Sequence, residues 1–165
     1  MRGARSVSLP TSRRAARRCS MTMLWKQSRN GESVPMTSNL ADIYTDYIAC
    51  LNAQDWDNLG LFVHQQVIHN ARPLGLHGYR SMLEADYRDI PDLRFEVECL
   101  VVDPPKLAAR LVFNCTPAGE FLGLAVNGAR IAFTENVFYA FEDGRIREVW
   151  SIIDKQAIEA QLPSL

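Results

Sequence analysis

A carboxylate at the end of a strongly apolar segment is the first candidate for chemistry in this sequence. Asp154 directly follows residues 149–153, which read VWSII. Next to Trp and Ile side chains the charged form of a carboxyl group is disfavoured, which suits a group that takes and returns a proton. Asp is also a favoured helix N-cap, and a helix can begin here. From the residues alone, both interpretations of Asp154 stay open.

Polar side chains also interrupt two other predicted strands. Alternation along a strand places Glu135 and Tyr139 on one face, where Glu135 is either a cavity carboxylate or a solvent-facing partner of a basic residue. His69 and Asn70 point to opposite faces of a short strand, so one of them should face inward. The candidate roles are hydrogen bonding and proton relay, against a purely structural role for a lone strand histidine.

Aromatic side chains recur at helical spacing near the start of the predicted fold. Tyr44 and Tyr47 lie on one helix, and Trp56 and Phe62 follow it. They either line a pocket or belong to an ordinary core. Tyr47, Trp56, Tyr139 and Trp150 are taken as candidates for substrate binding, with Trp150 as a wall on which a ring could stack.

Motifs for metals and cofactors are absent from the sequence. His64, His69 and His77 form no HExxH, and no GxGxxG, GxxxxGK[ST] or GxSxG is present. The four cysteines include no CxxC pair, and three of them lie in apolar stretches typical of buried thiols. We therefore expect no metal, no organic cofactor, no disulfide framework and a reducing compartment.

The elements that must position these residues follow from the periodicity of apolar side chains. Spacings of three and four predict helices over 40–51 and 77–89, with a short helix capped by Asp55 between them. Alternation predicts a short strand and then four longer ones, over 66–70, 93–102, 107–116, 130–141 and 145–153. A final helix is expected over 154–161. Helices followed by neighbouring long strands predict an α+β fold with an antiparallel sheet.

Composition bounds the class of protein. The chain has 165 residues, of which 47% are hydrophobic and 22% charged, as in an ordinary globular domain. No run approaches the roughly 18 apolar residues of a membrane span. Residues 38–165 carry ten basic and eighteen acidic side chains. This acidic body argues against nucleic acid as a partner, because phosphate binding needs clustered Lys and Arg.

The first 37 residues differ from the rest. They carry seven Arg and one Lys against one acid, without hydrophobic periodicity. We predict a disordered basic extension over 1–37 and a folded domain over 38–165. The extension is interpreted as an over-extended start, with a transit-like segment and a surface-binding arm as alternatives. The expected localisation is cytoplasmic, with organelle targeting as the minor alternative.

Residues 138–154, FYAFEDGRIREVWSIID, resemble the SnoaL-like polyketide cyclases, or ester cyclases, of the nuclear-transport-factor-two-like superfamily. The shared features are an aromatic strand, an Asp-Gly turn, E-x-W and an Asp four residues after the Trp. Upstream, FVHQQVIHN and LGLHGYRSMLEADYRDIPDLRF agree in order and spacing. The similarity covers about residues 39–162.

The resemblance implies an α+β barrel in which about three helices wrap a curved antiparallel sheet around a deep apolar cavity. It also implies a cofactor-free, metal-free intramolecular aldol closure of an aromatic polyketide ester. The family's catalytic Asp falls on Asp154, which would move the proton, while His69 and Asn70 would contact a substrate carbonyl. The substrate's own rings would stabilise the enolate.

The function expected from this reasoning is an acid/base cyclase or isomerase for an enolisable aromatic or polycyclic carbonyl compound. One alternative is a non-catalytic protein that binds an apolar metabolite in the same cavity, and another is a hydrolase or lyase on the same fold. A homodimer is expected through the sheet. Its warrant is the resemblance, supported by outward apolar residues such as Ala108 and Val112.

Overall fold

The computed structural model describes residues 40–163. The predicted basic extension over 1–37 lies outside the described residues, so the division into extension and domain stays a prediction. The described residues form three α-helices: α1 (Leu40–Asn52), α2 (Gly75–Asp89) and α3 (Lys155–Glu159). No helix among them is long and apolar enough to cross a membrane.

Five of the eight strands in residues 40–163 lie where the sequence predicts strands, and three strands of two residues each were not predicted. In chain order the eight strands are β1 (Val63–His69), β2 (Arg72–Pro73), β3 (Glu96–Asp103), β4 (Lys106–Cys115), β5 (Glu120–Phe121), β6 (Leu124–Ala125), β7 (Ile131–Glu142) and β8 (Arg145–Ile153), of which β2, β5 and β6 are the three that were not predicted. Six of them form one curved sheet in the order β2-β1-β8-β7-β4-β3, and β5 and β6 form a separate two-stranded sheet. The predicted α+β fold, with three helices on a curved sheet, is confirmed.

The sheet differs from the expected antiparallel barrel in two respects. Strands β1 and β8 run parallel, while every other pair in the six-stranded sheet is antiparallel. The sheet is also open rather than closed. Because β1 and β8 are far apart along the chain, no hairpin turn fixes their relative direction, and local patterning could not reveal it.

The side chains of strand β7 alternate between the inner and the outer face of the sheet. Its odd-numbered residues from Ile131 to Phe141 face the core, and its even-numbered residues face outward. The neighbouring strand β4 does the same, with Leu107, Leu111 and Phe113 buried. The inward rows pack with α1 and α2 into one apolar core, so a polar side chain in these rows is at least partly removed from water.

Two local expectations are corrected by the structure. The short second helix is a 3₁₀ helix over Leu59–Leu61. Cys99, expected to be buried, is exposed because β3 is the edge strand and its pairing shifts between Val97 and Cys99. Cys50 and Cys115 are buried free thiols, as expected.

Large apolar side chains lie exposed on the outer face of the sheet. Val101 pairs with Ala108, Ala108 with Phe138, and Phe138 with Trp150, so these residues form a row across four strands. Phe138 is 59% exposed, and Ile152, beside this row, is 74% exposed. We call this row together with Ile152 the outer patch. Exposed apolar patches of this kind are typical of protein interfaces.

The homodimer stays a prediction, and the outer patch is the surface at which we expect it to form. Phe138→Arg places a charge at the centre of the patch, and its desolvation opposes pairing. Sedimentation at micromolar concentration is expected to show twice the chain mass of 18.6 kDa for the wild type and a single chain mass for the variant.

The matched control is Leu61→Arg. Leu61 is also exposed but lies on the 3₁₀ helix and is not part of the outer patch, so this variant should sediment like the wild type. A wild-type protein that sediments as a monomer, or a dimeric Phe138→Arg variant, would contradict the prediction.

Candidate functional site

A cavity of about 360 Å³ lies between the inward face of the sheet and helix α2. Aromatic and aliphatic side chains make up most of its wall. Asn70 and Leu122 line it and are exposed, so the cavity reaches the surface where they lie. This volume falls in the range of small-molecule sites, which span about 300–1,000 Å³.

Glu135 is a carboxyl group in the inward row of β7, where its neighbours along the row are Phe133 and Val137. Burial raises the pKa of Glu135 to about 7, a hydrogen bond from Ser151 opposes that rise, and the charge of Asp86 adds to it. Within residues 40–163 no cation pairs with Glu135. At neutral pH the group therefore populates both protonation states, which is what general acid/base catalysis requires.

Ser151 lies between Glu135 and His69. Its hydroxyl hydrogen-bonds Glu135 and lies 3.4 Å from Nε2 of His69. Burial lowers the pKa of His69, and the nearby Arg72 lowers it further, so the imidazole is neutral at neutral pH. A hydroxyl can donate to one neighbour and accept from the other. Glu135, Ser151 and His69 therefore form a chain through which a proton can pass.

Asn70 holds Ser151 in place. Its Nδ2 donates to the Ser151 carbonyl oxygen over 3.2 Å, and its Oδ1 accepts from the Ser151 N–H over 2.9 Å. Asn70 adopts a positive φ of 45°, a conformation that Asn tolerates better than most residues. It was expected to contact a substrate carbonyl. Its observed contacts position Ser151 at the end of the β1–β8 pairing, and its contact with a substrate carbonyl stays a prediction.

Four tyrosine side chains, Tyr44, Tyr47, Tyr79 and Tyr139, form two hydroxyl pairs in the core next to the cavity. The Tyr47 and Tyr79 hydroxyls are 2.8 Å apart, and Tyr44 donates to Tyr139 over 3.4 Å. Burial raises the pKa of all four phenols, so they stay neutral hydrogen-bond donors. Tyr47, Tyr79 and Tyr139 line the cavity.

Asp86 is a second carboxyl group on the cavity wall, contributed by α2. Burial raises its pKa to about 6, and the charge of Asp89 contributes to the shift. Asp86 has no side-chain hydrogen bond or ion pair within residues 40–163. No group of three or more His, Cys, Asp or Glu side chains in the same range is placed to hold a metal ion. The expected independence of metals and cofactors stays a prediction.

Three of the expected site residues lie outside the cavity wall. Asp154 is exposed and caps α3, where its Oδ1 accepts from the Ala157 N–H over 3.1 Å. Trp150, expected as a stacking wall, belongs to the outer patch and is 37% exposed. Trp56 packs edge-on against Tyr87. The other five candidates line one cavity: Tyr47, His69, Asn70, Glu135 and Tyr139.

Sequence reasoning missed Tyr79, Asp86 and Ser151. Tyr79 and Asp86 are seven residues apart on α2 and share its apolar face with Leu83. An acid on the apolar face of an amphipathic helix is a signal that could have been used. Ser151 lies on the inward side of β8, between Val149 and Ile153. Only knowledge of which face of β8 points inward identifies it.

The capping role of Asp154 predicts how two substitutions affect stability. Asp154→Ala removes the acceptor for the Ala157 N–H and should lower the free energy of unfolding by about 1 kcal/mol. Asp154→Asn keeps an acceptor and should stay close to the wild type. Urea unfolding measures both. Equal losses in the two variants would show that the cap does not stabilise α3.

The desolvated carboxyl group of Glu135 predicts a pH dependence of stability. Its pKa rises from an ordinary 4.5 to about 7 on folding, so between these values the unfolded state releases the proton while the folded state retains it. The contribution of Glu135 to stability is therefore full below about pH 4.5 and is lost as the pH rises to about 7. The loss should be about 3 kcal/mol, since each pKa unit corresponds to about 1.4 kcal/mol.

Urea unfolding of the wild type and of Glu135→Gln from pH 4.5 to 8 tests this expectation. The variant should lack the part of the decline that Glu135 causes. Glu148→Gln is the matched control, because Glu148 lies outside the cavity on the neighbouring strand, and it should follow the wild type. Identical slopes in all three proteins would contradict the assignment.

Comparison with known proteins identifies a protein family and solved structures that are similar to this chain. The family model described as SnoaL-like polyketide cyclase matches residues 41–162. The crystal structure of a SnoaL-like polyketide cyclase from Agrobacterium tumefaciens is 57% identical, with a TM-score of 0.76 and a match that covers 77% of this chain and 100% of that chain. No curated protein matches significantly.

Two more distant structures share the fold. TsrD from Streptomyces laurentii is 24% identical, with a TM-score of 0.68, and the match covers 78% of this chain and 98% of that chain. IdmH from Streptomyces antibioticus is 21% identical, with a TM-score of 0.65, and the match covers 74% and 97% of the two chains. The family match supports a cyclase or isomerase kind of function. By its family model and its 57% identical relative, this chain belongs to the SnoaL-like polyketide cyclases.

Proposed function

We propose that this protein is a cofactor-independent acid/base enzyme that enolises an aromatic or polycyclic carbonyl compound and so drives an intramolecular aldol closure or an isomerisation. The observation that supports it best is Glu135, a carboxyl group with a pKa of about 7 on the wall of an apolar cavity. A pure binding protein gains nothing from a desolvated carboxyl group, which costs stability.

In the proposed reaction the Glu135 carboxylate removes a proton from the carbon next to the substrate carbonyl. The electron pair of that C–H bond moves toward the carbonyl oxygen and forms an enolate. In a cyclase the enolate carbon then bonds to a second carbonyl carbon of the same molecule, and the resulting alkoxide takes the proton from Glu135. In an isomerase Glu135 returns the proton to a different carbon.

Ser151 and His69 can carry the proton from Glu135 to a more distant position in the cavity. The Ser151 hydroxyl contacts both Glu135 and His69, so the proton can pass along the chain when the position that needs it is not the one that released it. The apolar wall excludes water and thereby protects a carbanion-like intermediate from unwanted protonation. The cavity volume suits a compact ring system.

The resemblance assigns the acid/base role to Asp154, and the geometry favours Glu135. Asp154 is exposed and its side chain caps α3, whereas Glu135 lies on the cavity wall beside Ser151. A general acid/base must lie within hydrogen-bond reach of the proton that it moves. A ligand inside the cavity meets this condition with Glu135, so the proposal takes Glu135 as the catalytic carboxyl and tests Asp154 beside it.

The test follows exchange of the protons next to the carbonyl of 2-tetralone, a bicyclic aromatic ketone, for deuterium in D₂O by NMR. The wild type should exceed the buffer background, and its rate should rise as the pH increases toward about 7, because the base is the carboxylate. Glu135→Gln keeps the shape but cannot take a proton, so the rate should fall by about 10²–10⁴-fold. Glu148→Gln should retain the wild-type rate.

Asp154→Asn decides between the two carboxyl groups in the same assay. Loss of exchange in Asp154→Asn together with full activity in Glu135→Gln would move the catalytic role to Asp154. Binding of aromatic ketones without any exchange above background would favour the second candidate, a non-catalytic carrier of an apolar metabolite, which the largely aromatic and aliphatic wall also suits.

A further inference from the structure

We propose that the paired hydroxyls of Tyr47 and Tyr79 receive the carbonyl oxygen of the substrate and stabilise the negative charge that it gains as an enolate. This inference rests on the proposed function and deepens it. The resemblance leaves enolate stabilisation to the substrate's own rings. The structure instead offers neutral protein donors on the cavity wall, at the pair that we call the tyrosine pair.

Counting the hydroxyl protons shows which donors are free. The four tyrosines Tyr44, Tyr47, Tyr79 and Tyr139 bring four hydroxyl protons, and two hydrogen bonds between them use two. In the tyrosine pair either hydroxyl can be the donor, and in both cases the other keeps its proton. Tyr139 accepts from Tyr44 and also keeps its own. Within residues 40–163 neither remaining proton has an acceptor.

The position of the tyrosine pair fits an acceptor held inside the cavity. Tyr47 and Tyr79 are both buried and both line the cavity. The Tyr79 ring packs edge-on against His69 with their centroids 6.0 Å apart, which places the pair beside the Glu135–Ser151–His69 chain. The charge of Glu135 acts on both phenols without a hydrogen bond to either. Since Glu135, Tyr47 and Tyr79 line the same cavity, a ligand inside it can contact both the base and the donors.

The pair is a better oxygen site than Tyr139. Its two hydroxyls are 2.8 Å apart, against 3.4 Å for Tyr44 and Tyr139. A hydroxyl that accepts a short hydrogen bond is polarised and becomes a stronger donor through its own proton. The rings are fixed by the core, with Tyr47 in contact with Phe62 and Tyr44. Donors fixed in a dry site stabilise developing charge without having to reorganise.

The experiment measures the infrared C=O stretching frequency of 2-tetralone bound to the protein, which reports hydrogen-bond donation to the ketone oxygen. A ketone oxygen only accepts hydrogen bonds, so a lower frequency than in an apolar solvent reports donation to it. Wild-type protein should show this shift. The double variant Tyr47→Phe/Tyr79→Phe keeps both rings but removes both donors, so it should lose the shift and lower the exchange rate by about 10²-fold or more.

Tyr44→Phe is the matched control, since Tyr44 belongs to the same cluster but is absent from the cavity wall; it should retain the shift and most of the rate. Tyr139→Phe tests the competing donor. If Tyr139→Phe loses the shift and the double variant keeps it, the inference is overturned. If the double variant does not fold, the single variants decide: each should show a weaker shift and slower exchange, and unchanged values overturn the inference.

The two readouts separate this inference from the proposed function. In one outcome the wild type shows the C=O shift and the double variant loses it, while the wild type catalyses no exchange. This result would support the oxygen site and contradict the proposed enzymatic function. In the converse outcome Glu135→Gln abolishes exchange while the double variant shows the same C=O band as the wild type. This result would support the proposed enzymatic function and contradict the oxygen site.

Discussion

The constraint to which the rest of the site is fitted is the desolvation of Glu135, which has no cation paired with it within residues 40–163. Glu135 occupies a position in β7 at which the alternation of the strand calls for an apolar side chain. Desolvation by the surrounding core raises the pKa of Glu135, and a hydrogen bond from Ser151 moderates that rise. An arginine in this place would hold the group ionised. A hydroxyl leaves the two protonation states close in free energy.

Ser151 can play this part only because the sheet ends where it does. Strand β1 joins β8 in parallel and then turns away at Asn70, whose amide takes over both backbone hydrogen bonds of Ser151. The side chain of Ser151 is thereby directed by a backbone that a non-local strand pairing fixes. The fold and the proton chain share one junction, so a change that loosens β1 from β8 displaces the hydroxyl that contacts both Glu135 and His69.

The sequence predicted most of the helices and strands and part of the site. The site residues that were placed wrongly at the end of β8 share one physical cause. Helical spacing located α1 and α2, and alternation correctly placed Glu135 and Phe138 on opposite faces of β7. Alternation cannot say which face is inward. On β8 both faces are apolar, because Trp150 and Ile152 belong to the outer patch. The apolar run before Asp154 therefore suggested a cavity that lies on the other side of the strand.

The site that results places an acceptor of protons and donors of hydrogen bonds on different elements around one apolar space. Glu135 and Ser151 come from the sheet, whereas Tyr47 and Tyr79 come from α1 and α2. Enolisation moves charge from the base toward the carbonyl oxygen, so a base and donors that face a ligand from different elements can act at the two ends of that movement. Because the donors are phenols with raised pKa values, they stay neutral, and in the proposed reaction the carboxylate is the charged group that takes up the proton and later returns it.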